Sequence, residues 1–311
     1  MAEWLHEHGI GEDRAILVED GEILEAIILL PGLRAGAVVE ARLVSNAGIA
    51  ALPDGDEAVV EPLPKVSEGA PFRAEVVREA IPEPGRPKPP KLKPTEQSSG
   101  PGAALPGKPA PRTGPDPFEA AGWSELLEEA RTGEIAFPGG ALRMSLTPAM
   151  TLFDVDGSLP PEALAEAGAA AAARAIRRFG IAGSIGLDLP TIPKDRRQAA
   201  TAKVDALLPQ PFERTAVNGF GFLQIVRRRV RASIPEILRA DPAAAAARAL
   251  LRRAERLRGK VALHAAPRVI LNLKARPDWL AELARRTGGE VLLFPNPGLA
   301  IWSSHAQPHQ A

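Results

Sequence analysis

The stretch Ala149-Met-Thr-Leu-Phe-Asp-Val-Asp-Gly-Ser158 decides the reading of this chain, because an apolar run that ends in two spaced carboxylates is how a β-strand delivers charged groups to the edge of a sheet. Side chains alternate along a strand, so Asp154 and Asp156 are expected on one face. A second run, Ile185-Gly-Leu-Asp188, again ends in an acid, 188 − 154 = 34 residues after the first. That interval suits one strand-helix-strand crossover. If the two strands are parallel neighbours, Asp154, Asp156 and Asp188 converge at the carboxyl edge of a sheet, where open α/β sheets bind ligands. An all-oxygen cluster suits Mg²⁺ or Mn²⁺.

The surroundings support a crossover. Pro160 to Phe179 reads as an alanine-rich helix with Pro at its start, and Gly180 stands where a C-cap glycine belongs. Outward from this unit, Pro117 to Thr132 reads as a helix, and Glu134 to Phe137, Pro138-Gly-Gly140 and Leu142 to Leu146 as strand, tight turn and strand. Arg196 to Leu208 reads as a helix, Ala216 to Val226 as a strand containing Gly219-Phe-Gly221, and Pro242 to Lys260 as a basic helix. The tail reads strand (Val269 to Leu273), helix (Asp278 to Arg286), strand (Glu290 to Phe294). Residues 13 to 80 alternate in short β segments with turns at Glu19-Asp-Gly-Glu22 and Asp54-Gly-Asp56. From about Ile81 to Asp116 the composition shifts to Pro, Lys, Gly and Ser, as in Pro84-Gly-Arg-Pro-Lys-Pro-Pro-Lys-Leu-Lys-Pro94, which predicts a flexible linker. The expected fold is α/β in four parts: a β-rich N-terminal domain (1–80), the linker (81–116), an α/β domain that carries the three aspartates and their expected metal (117–240), and a basic helix with a small α/β unit (241–311).

Composition narrows the chemistry. A chain of 311 residues, 45% hydrophobic, can bury a sizeable core. Lys+Arg and Asp+Glu balance at 38 each, so any phosphate-binding surface must be local. No cysteine is present, which excludes disulfides, thiolate nucleophiles, zinc knuckles and iron-sulfur clusters. The start, Met-Ala-Glu-Trp-Leu-His-Glu-His, lacks the basic and apolar regions of a leader, and no apolar run is long enough for a bilayer, so a cytoplasmic protein is expected. His6, His8, His264, His305 and His309 show no ligand spacing.

Taken alone, Phe153-Asp-Val-Asp-Gly-Ser-Leu159 is similar to the first motif of haloacid-dehalogenase-type phosphatases, in which Asp154 would be a nucleophile, but no later acidic pair follows Asp188. A longer stretch, roughly Glu134 to Val230, resembles the catalytic region of the ribonuclease E/G family. The resemblance rests on Pro138-Gly-Gly140, Met144 through Ser158, the alanine-rich helix ending Ala171-Ala-Ala-Arg-Ala-Ile-Arg-Arg178, Gly183-Ser-Ile-Gly-Leu-Asp188, and Phe220-Gly-Phe-Leu-Gln224. It implies that Asp154 and Asp188 bind Mg²⁺ and that Asp156 stands where the family has an asparagine that positions the scissile phosphate. Pro148 replaces a Glu, Gly219 replaces an Arg, and the cysteine motif that links family dimers through zinc is absent. The shortened front half implies a compact member that has lost its 5′-monophosphate sensor and keeps S1-like and ribonuclease H-like remnants.

The activity so implied is metal-assisted hydrolysis of single-stranded RNA, leaving 3′-hydroxyl and 5′-phosphate ends. Between Lys194 and Arg231 nine basic residues face three acidic ones, a balance of 9 − 3 = +6, and Lys194, Arg196, Arg197, Arg227, Arg228 and Arg229 are the expected phosphate contacts. Phe220 either packs in the core with Phe222 or stacks on a base. Asp188 could equally cap the next helix. Two rival functions are an RNA-binding protein that has lost efficient cleavage and a phosphomonoesterase acting through Asp154.

Overall fold

The computed structural model describes residues 1–83, 85 and 87–309. The chain opens with β1 (Glu3–His8), β2 (Asp13–Glu19) and β3 (Glu22–Leu29), an antiparallel meander. The β2–β3 turn uses Asp20 and Gly21, both at positive φ (52° and 83°), as a tight hairpin demands. Then β4 (Val38–Ser45), β5 (Ile49–Ala51), β6 (Glu57–Val60), β7 (Pro71–Arg78) and β8 (Lys91–Pro94) close a barrel in the order β4-β5-β6-β8-β7. Alternation fills its interior with Ala41, Leu43, Ala58, Val60, Ala74, Val76 and Leu92.

The Pro-rich stretch is therefore no free spacer. Lys91–Pro94 is the strand that closes the barrel, parallel to β6 and antiparallel to β7. Leu92 anchors it, fully buried, while the prolines flank the short paired run, where a missing N–H costs little. Further on, β9 (Lys108–Pro109) adds a parallel edge strand beside β1. Pro84 and Arg86 of the expected linker, and Gln310 and Ala311 of the expected C-terminal unit, lie outside the described residues.

The expected 117–132 helix divides into α1 (Pro117–Ala120) and α2 (Trp123–Thr132) at Gly122, whose φ of 91° no helix accommodates. There follow β10 (Glu134–Phe137), β11 (Gly140–Leu146), β12 (Thr151–Gly157), α3 (Pro161–Arg178), β13 (Gly183–Asp188), α4 (Arg197–Leu207), β14 (Glu213–Arg214) and β15 (Phe222–Arg227). The six strands form one mixed sheet, β10-β11-β12-β13-β15-β14, in which only β12 and β13 are joined as the parallel crossover the spacing requires. The C-terminal part holds α5 (Ile234–Ala240), α6 (Pro242–Ala254), β16 (Val261–Ala265), α7 (Pro267–Lys274), α8 (Pro277–Thr287), β17 (Val291–Pro295) and β18 (His305–Pro308), with the strands ordered β17-β16-β18. The expected strand at Val269 to Leu273 is the body of α7. Pro267 starts it, and Val269, Ile270 and Leu273 are buried while Leu271 is exposed, a helical rather than an alternating pattern.

The division at residue 80 also shifts. Ile16, Ile23, Ala26 and Ile28 of β2 and β3 belong to the same core as Phe153, Leu187 and Leu223, because α3 is packed against β3 on one side and β10 to β12 on the other. Small side chains make this close packing possible. A Cβ placed on Gly168 would sit 2.4 Å from Val155 Cγ1. The molecule is thus a mixed α/β protein in which the barrel, residues 38 to 94, is inserted between the first meander and the rest of the main core. Among the described residues no helix is long and apolar enough to cross a membrane.

Candidate active site

Parallel pairing of β12 with β13 puts Asp154 directly beside Asp188. Continuing the register in both directions gives one transverse line over five strands: Glu134 opposite Arg143, Arg143 opposite Asp154, Asp154 beside Asp188, Asp188 opposite Phe222. Neighbouring strands lie about 4.8 Å apart, and residues abreast share a face, so these side chains rise side by side. Alternation fixes which face. Leu142, Phe153, Leu187 and Leu223 are buried under the helices, which sends their neighbours to the solvent side.

Asp156 shares that face but lies one pleat beyond Asp154, abreast of Ala141. Its carboxylate is held by Arg143, with Nη1 3.0 Å from Oδ2, and Arg143 Nε lies 3.8 Å from Glu134. Of the three expected carboxylates, Asp154 and Asp188 stand abreast, and Asp156, one pleat away on the same face, is turned to an arginine. Among the described residues no group of three or more His, Asp or Glu is disposed to hold a metal ion. A two-carboxylate site still fits the divalent cation implied by the resemblance, since Mg²⁺ keeps several waters and takes one or two carboxylates along with substrate phosphate.

The surface beside Asp188 is built by a glycine in mid-strand. A Cβ on Gly186 would meet Phe222 Cζ at 2.5 Å and Leu152 Cδ1 at 2.9 Å, so the Phe222 ring lies across it and forms a flat apolar floor. The turn before β15 is tightly specified. Asn218 Oδ1 accepts from the backbone N–H groups of Phe220 (2.9 Å) and Phe222 (3.0 Å), and Gly221, at φ 90°, leaves only 2.1 Å between an added Cβ and the Leu189 carbonyl oxygen. Thr191 Oγ1 donates to the Phe220 carbonyl at 3.4 Å. These contacts fasten the turn to the loop that follows Asp188. Phe220 stands at its tip, 84% exposed, and is not a core residue.

The basic stretch does not form one face. Lys194 and Arg196 are exposed in the loop after β13, Arg196 lying 3.7 Å from Glu162 and 3.5 Å from Asp195, and Arg197 Nε donates to the Ile192 carbonyl at 3.1 Å. Arg227, Arg228 and Arg229 are at the opposite end of the sheet, because β15 runs antiparallel to β13 and Arg227 pairs with Gly183. Asp188 is five steps along the strand from Gly183, roughly 16 Å. Arg227 donates to the Ile181 carbonyl at 2.9 Å, and burial lowers its pKa. Arg229 is clamped by Glu83 and Glu236, while Arg228 is exposed. This end lines a cleft of about 810 Å³ between barrel and sheet, with Arg78, Lys88, Met150, Ser184, Arg229 and Arg239 on its walls.

Sequence reasoning missed Arg143 and Glu134. Their outward orientation was present in the alternation of Glu134-Ile-Ala-Phe137 and Ala141-Leu-Arg-Met-Ser-Leu146, but their place in the line depends on register across three strands. It also missed a cluster of histidines. His264 stacks between Phe294 (4.8 Å) and His305 (4.9 Å) across the outer face of the C-terminal sheet. No family model matches the chain, and no curated protein matches it.

Proposed function

We propose that this chain is a metal-dependent endoribonuclease of single-stranded RNA, a compact relative of the ribonuclease E/G family. The observation that carries the reading is the register that sets Asp154 abreast of Asp188 at the carboxyl ends of two parallel strands, on a face open to solvent. In this reading Asp154 and Asp188 hold Mg²⁺, with Mn²⁺ as a substitute. The bound ion supplies a Lewis acid and an activated water, so no side-chain nucleophile is required. Asp154 and Asp188 would hold that ion on the open sheet face, and Asp156 holds Arg143 beside them. Phe220 stacks on a flanking base, which favours a single strand because only unpaired bases offer a face. Lys194 and Arg196 extend the contact to neighbouring phosphates. The five-stranded barrel adds support, as small Greek-key barrels of this kind are a common frame for binding oligonucleotides. The first meander and the barrel correspond, in this reading, to the ribonuclease H-like and S1-like remnants.

The Arg143–Asp156 pair favours one second reading, an RNA-binding protein of the same fold with weak cleavage, because it leaves two carboxylates rather than three for the ion. An end-labelled single-stranded oligoribonucleotide separates the two. Mg²⁺-dependent cleavage that disappears in Asp154→Asn and in Asp188→Asn is the expected result. Full cleavage by both variants would overturn the nuclease reading, and tight binding without cleavage by the unaltered chain would establish the second. Release of phosphate from p-nitrophenyl phosphate with RNA left intact would point to a phosphomonoesterase.

A further inference from the structure

Four carboxylates, Glu134, Asp154, Asp156 and Asp188, rise from one exposed sheet face with a single arginine among them. A phosphodiester anion approaching this face meets repulsion wherever a cation does not intervene. Two arginines of the basic stretch cannot intervene, since Arg227 and Arg229 are engaged at the far end of the sheet. Arg143 can. It stands on β11 directly opposite Asp154, so its side chain rises immediately beside the acidic pair.

We infer that Arg143 is a phosphate-binding residue of this site, gripping nonbridging oxygens of the phosphodiester that lies over Asp154 and Asp188, while Asp156 and Glu134 hold its guanidinium in place. The inference rests on the nuclease reading above. Arg143 is secured from two sides, at 3.0 Å by Asp156 and at 3.8 Å by Glu134, yet it remains 61% exposed. A guanidinium carries five N–H donors in a fixed fork, more than these two contacts use, and the fork matches two phosphate oxygens at once. Stability does not account for the arrangement, because ion pairs this exposed contribute little. Holding the guanidinium in advance lowers the reorganisation needed when substrate binds.

The test uses the full chain and a short single-stranded oligoribonucleotide. Binding is measured over a range of salt in EDTA, so that nothing is cut, and cleavage separately in Mg²⁺. Loss of one phosphate contact makes the slope of log K against log[salt] shallower by about 0.7 for a single strand. Arg143→Ala is expected to show that change and to cleave on the order of 100-fold more slowly, the usual effect of removing one preorganised donor. Mn²⁺ binding, followed by paramagnetic resonance, should not weaken. Arg143→Lys should recover the salt slope but only part of the rate, since an ammonium lacks the fork. The double variant Arg143→Ala/Asp156→Asn gives the decisive contrast. If it cleaves at the unaltered rate, Arg143 only offsets the charge of Asp156 and the inference falls. An unchanged salt slope in Arg143→Ala overturns it as well. Absence of cleavage by the unaltered chain would remove the nuclease reading, leaving the salt slope to decide the phosphate contact on its own.

Discussion

Two clusters of carboxylates and arginines sit in this molecule under opposite conditions. One joins β1, β2, α1 and α6 in the interior. Glu12 accepts from Arg14 and from Arg248, each at 2.7 Å, and Arg252 bonds Glu7, Asp116 and Glu119 at 2.8 to 2.9 Å. The arginines at its centre are at most 7% exposed. The other is the open line of Glu134, Arg143, Asp154 and Asp188, where two acids stand together with an arginine on one side. Burial explains the difference. A charge taken out of water needs a partner, so each interior carboxylate is matched, whereas high dielectric lets Asp154 and Asp188 coexist with no ion pair of their own among the described residues. The first cluster's charges are matched within the fold, and the second leaves its carboxylates at the surface.

The largest expected effect follows directly. Replacing Asp154 or Asp188 by Asn should reduce Mg²⁺-dependent cleavage by 10³-fold or more while leaving the melting temperature unchanged or slightly raised, since like charges abreast on neighbouring strands are mildly destabilising. Parallel cleavage assays and thermal melts check both halves. A large fall in stability would mean that these acids belong with the interior cluster after all.

Glu12→Gln should do the reverse. It leaves Arg14 and Arg248 buried without their carboxylate, and breaking a buried pair costs about 3–5 kcal/mol. Burial alone would raise the Glu12 pKa, but the guanidiniums of Arg14 and Arg248 hold it below the ordinary 4.5. Because the folded value is the lower one, this stabilisation is complete above about pH 4.5 and is lost as pH falls through the folded value. Denaturant titrations should therefore show Glu12→Gln far less stable at pH 7, with the gap narrowing in acid. A gap that does not depend on pH would sink the assignment.

These contrasts also show what the sequence could disclose. The crossover from β12 to β13 was legible because alternation and spacing are local properties, and α3 announced itself by Pro160 and Gly180, one residue outside its first turn and two beyond its last residue. The use of its alanines was not legible, since only the packing of α3 between two sheets turns small side chains from composition into necessity. The Pro-rich segment misled because proline content reports local stiffness, whereas Leu92 is held by pairing of its short strand with β6 and β7. The basic stretch misled for a topological reason. Arginines that are near the acids in the chain are carried about 16 Å away by an antiparallel strand. Phe220 and Phe222 share a strand-like spacing, yet the positive φ of Gly221 ends the alternation between them.

A smaller effect tests the edge of the site. Phe220→Ala should weaken binding of a single-stranded oligoribonucleotide by roughly 1–3 kcal/mol, the range for one base stacked on an aromatic ring. Stability should not change, because the ring is 84% exposed and the turn is held by Asn218 and the backbone. Isothermal titration with a duplex of the same sequence provides the contrast, and an equal loss for both would argue against stacking.

The smallest effect belongs to the far end of the same strands. Arg228 is exposed, so its substitution by Ala should leave stability within about 0.5 kcal/mol. If single-stranded RNA is engaged only over the acidic line and its loop, affinity should change as little. A fall in affinity as large as that of Phe220→Ala would instead extend the bound strand across Ser184 and Met150 into the cleft beneath the barrel, where Arg78, Lys88 and Arg239 also stand. Either result locates the strand, because Arg227 and Arg229 on each side of Arg228 are occupied within the fold and cannot substitute for it.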